Sequence, residues 1–394
     1  MPKTLGDLFA GMLVLFVSST GAVRAQPVTF QEDSVQLVGG PPLSRIVQLV
    51  VGPDSSAYLL DAMTPGVLEY DVAGAFVRQL GREGEGPGEF RSPWRIGMIG
   101  RDTLWVADLS LRRFTLFDAS TGESLRTIPR SEAWGAWEPR ATPLALSASR
   151  SPILVVQETE ESPIRVFGFE PGNPEPKPVV TLDEDNRFME VPLADGAIHL
   201  RAPFSHHDKF AVDPWSRMLI VLREPDAGGR LGVEPHAFDS EHRVAGGFTV
   251  QLEAEPLAAS AIEEWLDKQK MMEDFVGRGF FPSLAAARET FEGSLFTPKE
   301  YPLIASRGQG VLDSGVIIDP LDPVGTVWIQ RAGRSEEQFW QRISPGGVSP
   351  KLRLGLDETL LAALGDLLWV ARLDRFGVPT VIRRRISPEG EENE

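Results

Sequence analysis

Short apolar runs separated by polar turns recur from about residue 40 to the C-terminus. The clearest stretch is RIGMIGRDTLWVADLSLRRFTLFDASTGESLRTI, Arg95 to Ile128. Gly100-Arg101-Asp102 turns the chain between a first apolar strand and a second, LWVAD. A third strand, RFTLFD, ends at the turn Ala119-Ser120-Thr121-Gly122, and SLRTI follows as a fourth. Runs this short, bounded by Gly, Asp and Ser, read as strands. Four strands in about 35–45 residues is the size of one propeller blade. Aligned on the second strand, the phrase returns as SAYLLD at Tyr58, LWVAD at Trp105, PILVVQ at Leu154, MLIVL at Leu219, TVWIQ at Trp328 and LLWVAR at Trp369. Six pivots predict an all-β chain folded as a six-bladed β-propeller. The steps between them are 47, 49, 65, 109 and 41 residues, so two steps carry insertions.

The longest step holds the one clearly helical pattern, a helical insertion before the fifth blade at about residues 256–296. In PLAASAIEEWLDKQKMMEDFVGRG, Ala258, Ile262, Trp265, Leu266, Met272, Phe275 and Val276 fall on one face of an amphipathic helix. Gly277 and Gly279 stop it, and a shorter helix is expected from about Ser283 to Phe291. Such a pair must bury its apolar face, either on a blade edge or as a lid over the channel mouth. Ring closure makes a second demand. Few strands remain after Trp369, so the early segment Val28 to Gly39 is expected to complete the last blade and remove its open edge.

The first 25 residues read as a signal peptide. Lys3 precedes the apolar run Leu8 to Val17, and Val23 and Ala25 stand at the −3 and −1 positions of a cleavage site before Gln26. The run is shorter than the roughly 20 residues a membrane span needs. The mature propeller is then 26–390 with a short acidic tail at 391–394, located in the periplasm or secreted, with no membrane span left. The chain has no Cys, so disulfides, thiolate metal sites and a cysteine nucleophile are all absent. A formal charge of −17 argues against nucleic acid, whose phosphates demand a basic surface. Gly and Pro, 38 and 32 residues, are spread evenly, as many short strands and turns require.

Gly81 to Asp118, GREGEGPGEFRSPWRIGMIGRDTLWVADLSLRRFTLFD, resembles the NHL-type six-bladed propeller repeat. It carries the glycines Gly84, Gly86 and Gly88, then Phe90, Pro93 and the strand Val106-Ala107-Asp108. The helical insertion followed by YPLI, and the closing DLLWVARLDRFGVPTVIRRR, also resemble bacterial exported six-bladed propellers of unassigned function. The resemblance implies fold and little about activity, because propellers host unrelated functions. GREGEGPGEF itself is no phosphate loop. It lacks the following Lys-Ser/Thr and carries Glu83, Glu85 and Glu89. Its glycines suit an inter-blade loop that needs φ > 0.

Candidate chemistry is sparse. His206 and His207 are adjacent, and neighbours on a strand point to opposite faces, so the two do not share one metal there. Propeller lactonases and lyases hold a divalent ion with acidic, Asn and His side chains from several inner strands. This chain has only Asn173, Asn186 and Asn393. No G-x-S-x-G elbow exists. No catalytic residue, metal or cofactor is therefore assigned. Trp105, Trp328 and Trp369 hold equivalent second-strand positions and are expected to pack blades. Trp134 and Trp137, in the loop SEAWGAWEPR, and Trp265, on the insertion, are the ligand-binding candidates. The first functional reading is an exported monomeric binding module for a peptide, glycan or protein. The alternative is a propeller hydrolase or lyase with a channel metal.

Overall fold

The computed structural model describes residues 28–387 apart from 130–140, 157–162, 170–174, 183–187, 195, 225–227, 239–241, 268, 296–298, 306–314, 323–324 and 334–337. The segment expected to be a signal peptide, and both Trp134 and Trp137, lie outside the described residues.

Six antiparallel sheets succeed one another along the chain. Blade 1 is Ile46–Val51, Ala57–Asp61, Val67–Tyr70 and Phe76–Leu80; blade 2 is Pro93–Ile99, Thr103–Asp108, Arg113–Asp118 and Ser124–Pro129. Blade 3 follows as Thr142–Leu146, Pro152–Val156, Ile164–Gly168 and Lys177–Leu182. Blade 4 is Lys209–Val212, Met218–Arg223, Arg230–Ala237 and Phe248–Gln251. Blade 5 is Val316–Ile318, Val327–Arg331, Gln338–Ser344 and Leu352–Leu354, with a short extra strand at Gly347–Val348. Blade 6 takes Glu358–Leu364, Leu367–Leu373 and Pro379–Ile386 from the C-terminal end. Its fourth strand is Phe30–Gln36, paired with the last strand through Ser34 to Arg384 and Gln36 to Ile382. The N-terminal segment thus closes the ring as its pattern demanded.

The second strands read as unbroken apolar runs because both of their faces are covered. Thr103–Asp108 and Pro152–Val156 are buried at every residue. Apolar layers fill the spaces between blades 1 and 2, 4 and 5, 5 and 6, and 6 and 1, and a larger one spans blades 2 to 4. Trp105, Trp328 and Trp369 are all 2% exposed or less, as expected of blade-packing residues. Trp340, on the third strand of blade 5, joins them. Gly97 is dictated by this packing, since a Cβ there would stand 2.5 Å from the Trp105 ring.

The V-A-D signature also gains a cause. Asp108, fully buried, accepts the Arg91 and Ser92 N–H groups through one oxygen and the Leu111 N–H through the other, at 2.8–3.0 Å. Asp61 does the same in blade 1 for Ser44, Arg45 and Met63. Each carboxylate pins the loop that leads into its blade. The loop before blade 2 uses Gly81, Gly84 and Gly88 at positive φ, with a two-residue parallel pairing of Arg82–Glu83 and Glu89–Phe90.

The helical insertion differs from its expected form. The first run breaks into α1 (Ala259–Asp267) and α2 (Lys270–Gly277), and α3 (Leu284–Ser294) follows. The apolar stripe stays in phase from Trp265 to Met272, a step of seven, so the break comes from the backbone at Gln269 and not from the pattern. Gln269 at ψ 83° restarts the second helix. Ser283 caps α3 by accepting the Ala286 N–H. Among the described residues, the apolar faces of these helices meet neither a blade sheet nor the pocket wall. They pack on a hairpin, Phe188–Leu193 with Gly196–Arg201, that fills the step between blades 3 and 4. Met189 and Val191 join Leu266, Met272, Phe281, Ala287 and Phe291 in one separate apolar cluster.

Candidate functional site: a stoppered central pocket

In each blade the inner strand starts at the face where the inter-blade connection arrives. Antiparallel order then places the end of the second strand and the start of the third at the same face. Both insertions emerge there, one on each side of blade 4. The opposite face carries the hairpin turns between first and second strands.

The inner strands surround a cavity of about 740 Å³ lined by five of them, from blades 1, 2, 4, 5 and 6. Small-molecule sites commonly measure a few hundred to about 1,000 Å³. Its base is crossed by one turn, Asp213–Ser216 of blade 4. The Met98 N–H of blade 2 donates to the Pro214 carbonyl at 2.8 Å, and the Trp215 indole N–H donates to the Val51 carbonyl of blade 1 at 2.8 Å. Trp105 Nε1 donates to Ser216 Oγ at 2.7 Å. Ser216 sits at φ +60° and Arg217 stacks over the Trp215 ring. Blade 4 thus reaches across the axis to the blades opposite and stoppers the channel.

The polar wall residues gather toward the other face. They are Gln48, Arg95, Gln330, Gln338 and Thr359, each close to the end of its strand at that face. Gln330 donates to Gln338 Oε1 at 3.3 Å, and Gln338 donates to the Glu358 carbonyl at 2.9 Å. Gln48 Oε1 accepts the Ile96 N–H at 3.0 Å, which fixes the orientation of its amide. Arg95 keeps solvent contact in the cavity while protein crowds it closely. That desolvation pushes its pKa down to about 10. Its guanidinium lies 5.5 Å from the Trp94 ring centroid. Neither carboxylate nor imidazole lines the cavity among the described residues.

A second polar cluster lies where the insertions join blade 4. Lys209 opens the inner strand and donates to Glu224 at 3.1 Å; both side chains are buried. His206 stands 3.6 Å from the other Glu224 oxygen, which also accepts the Leu303 N–H. Burial drives the Glu224 pKa up, against the pull of Lys209 and His206. Arg331 donates to the Leu303 carbonyl at 2.9 Å. The chemistry is that of a clamp on the limb returning from the helices. His206 is an 8% exposed member of it.

Trp265 is half-buried on α1 against the insertion cluster, away from the pocket wall. The pocket residues were missed in the sequence. Their signal was an arginine set inside the inner strand PWRIGMI, where the other blades carry mostly apolar residues.

No family model matches the chain, and no curated protein matches it in sequence. Solved structures do. A member of the DUF4221 family from Bacteroides vulgatus is 9% identical over 92% of this chain and 98% of its own, with a TM-score of 0.46. A Bacteroides fragilis protein whose name calls it exported is 8% identical, covering 92% and 95%, with a TM-score of 0.42. A gluconolactonase from Xanthomonas campestris is 12% identical, covering 92% and 98%, with a TM-score of 0.36. The fold itself rests on the six sheets. No helix among the described residues is long and apolar enough to cross a membrane.

Proposed function

We propose that this chain is an exported, NHL-like propeller that binds a small ligand, or the end of a larger one, in its stoppered central pocket. The observation that carries the reading is the pocket of about 740 Å³ with polar groups at one face and a crossing turn at its base. A peptide terminus, a sugar residue or a free metabolite are all of a size such a cavity takes. Nothing in the described wall favours the alternative, a hydrolase or lyase with a channel metal. A divalent ion wants carboxylate or imidazole ligands, and the wall offers amides, a hydroxyl and a guanidinium.

Val47 provides the test. It lines the cavity yet is 42% exposed, so a larger side chain there displaces no core. A small-molecule library screened by melting temperature should give compounds that stabilise the wild type and lose that effect in Val47→Trp. Stabilisation that persists unchanged in a folded Val47→Trp protein would place the site elsewhere. Elemental analysis of the same preparation reads the alternative directly, since one calcium or zinc per chain would favour it.

A further inference from the structure

We infer that the ligand of this pocket is an organic carboxylate, whose charged end meets Arg95 and whose apolar body lies along the inner strands. The inference rests on the pocket reading above and names its ligand class.

Arg95 is the one cation on the described wall. It is the third residue of its inner strand; the third residues of the other five are Gln48, Leu144, Ala211, Ile318 and Leu360. A guanidinium stays charged at any physiological pH, so burial cannot neutralise it. Arg95 is half-buried and meets the cavity on its open side, so an anion entering there would replace water as its partner. Among the described residues no carboxylate reaches Arg95, and its one contact of electrostatic kind is the Trp94 ring. A cation–π contact offsets roughly 0.5–1 kcal/mol at exposed sites and about 2 when desolvated. The position therefore awaits an anion.

The neighbouring amide has the same sense. Gln48 spends its oxygen on the Ile96 N–H, directly after Arg95, so its two amide N–H donors remain uncommitted. The wall near Arg95 is thus rich in donors. The chain as a whole carries −17, so an acid-free wall is not a consequence of composition. Below this ring the wall turns apolar, with Leu49, Val212, Ile318 and Ala362. A guanidinium fork matches a carboxylate in two parallel hydrogen bonds, and an apolar wall suits a hydrocarbon or aromatic remainder.

The experiment measures calorimetric binding of 3-phenylpropionate and of its primary amide, which share shape and differ in charge. Wild-type protein should prefer the acid by at least about tenfold, the scale of one charge-assisted hydrogen bond. Arg95→Gln should erase that preference, and Arg95→Lys should restore part of it. Melting of Arg95→Met supplies a second readout: removal of an uncompensated charge should leave the melting temperature unchanged or higher. Equal binding of acid and amide to wild type would overturn the anion assignment alone. Failure of wild type to bind either probe at millimolar concentration would overturn the pocket reading with it. A sharply lowered melting temperature in Arg95→Met would show that the arginine serves the fold, and would overturn the assignment too.

Discussion

At the scale of single residues, the side chains that shape the pocket are also those that hold the blades. Trp105 fills the layer between blades 2 and 3 and lies edge-on to Phe114 at 5.7 Å. Its indole N–H also anchors Ser216 in the stopper turn. Trp105→Ala should cost about 3–5 kcal/mol through cavity formation. Trp105→Phe keeps most of the apolar volume and leaves the buried Ser216 hydroxyl without its donor, at roughly 1–3 kcal/mol. Urea unfolding of both variants separates the two contributions. A Trp105→Ala protein as stable as wild type would mean that the tryptophan does not carry its layer. The packing role of Trp105 was legible, because an aromatic inside a continuous apolar run has few other reasons to be there. Its partner was not. Ser216 lies 111 residues further on, and a hydrogen bond between side chains at that separation leaves no local pattern.

At the scale of elements, the strands announced themselves and the insertions only half did. Strand runs bounded by turn residues follow from local geometry, which is why all six second strands could be aligned. The hairpin at 188–201 escaped notice because it belongs to no blade and repeats no phrase. Its own alternation is weak: Met189 and Val191 point to the helices, and the opposite face is polar only in part. The helices were visible by period, but what they pack against depends on a segment some 70 residues earlier. This pairing changes what a deletion should do. Replacing residues 256–296 alone by a Gly-Ser linker strands the apolar face of the hairpin. That variant should express poorly or aggregate, since exposed apolar strands invite association. Removing 188–201 as well should restore a monodisperse propeller with its β-structure retained. Size-exclusion chromatography and circular dichroism of the two deletions test the pairing. A well-behaved single deletion would show that the hairpin needs no cover.

At the scale of the whole molecule, the ring closes by strand pairing, and ionic contacts tie together the three C-terminal strands that receive the N-terminal one. Glu358 opens the inner strand of blade 6 and accepts from Arg372 at 2.7 Å and from Arg384 at 2.9 Å. Arg384 is the residue paired with Ser34 of the N-terminal strand. Burial acts to raise the Glu358 pKa, but Arg372, the Gly355 N–H and Arg384 outweigh it and hold the carboxyl below its usual range. A depressed carboxyl binds fewer protons in the folded state than in the unfolded one. Its contribution is therefore full above the unfolded value of about 4.5, and it is lost as pH falls through the folded value. Melting temperature should drop on acidification from about pH 5 to about pH 3, and Glu358→Gln should flatten that drop. An unchanged acid profile in the variant would assign the loss to other carboxylates. Closure of the ring was legible from strand arithmetic, whereas the turn across the base was not, because DPWS looks like any other hairpin turn. That turn has a kinetic consequence. A vessel with one opening admits and releases its contents by the same path, so whatever narrows that opening slows arrival and departure by the same factor. A substitution that narrows that opening should then lengthen residence time without altering the dissociation constant.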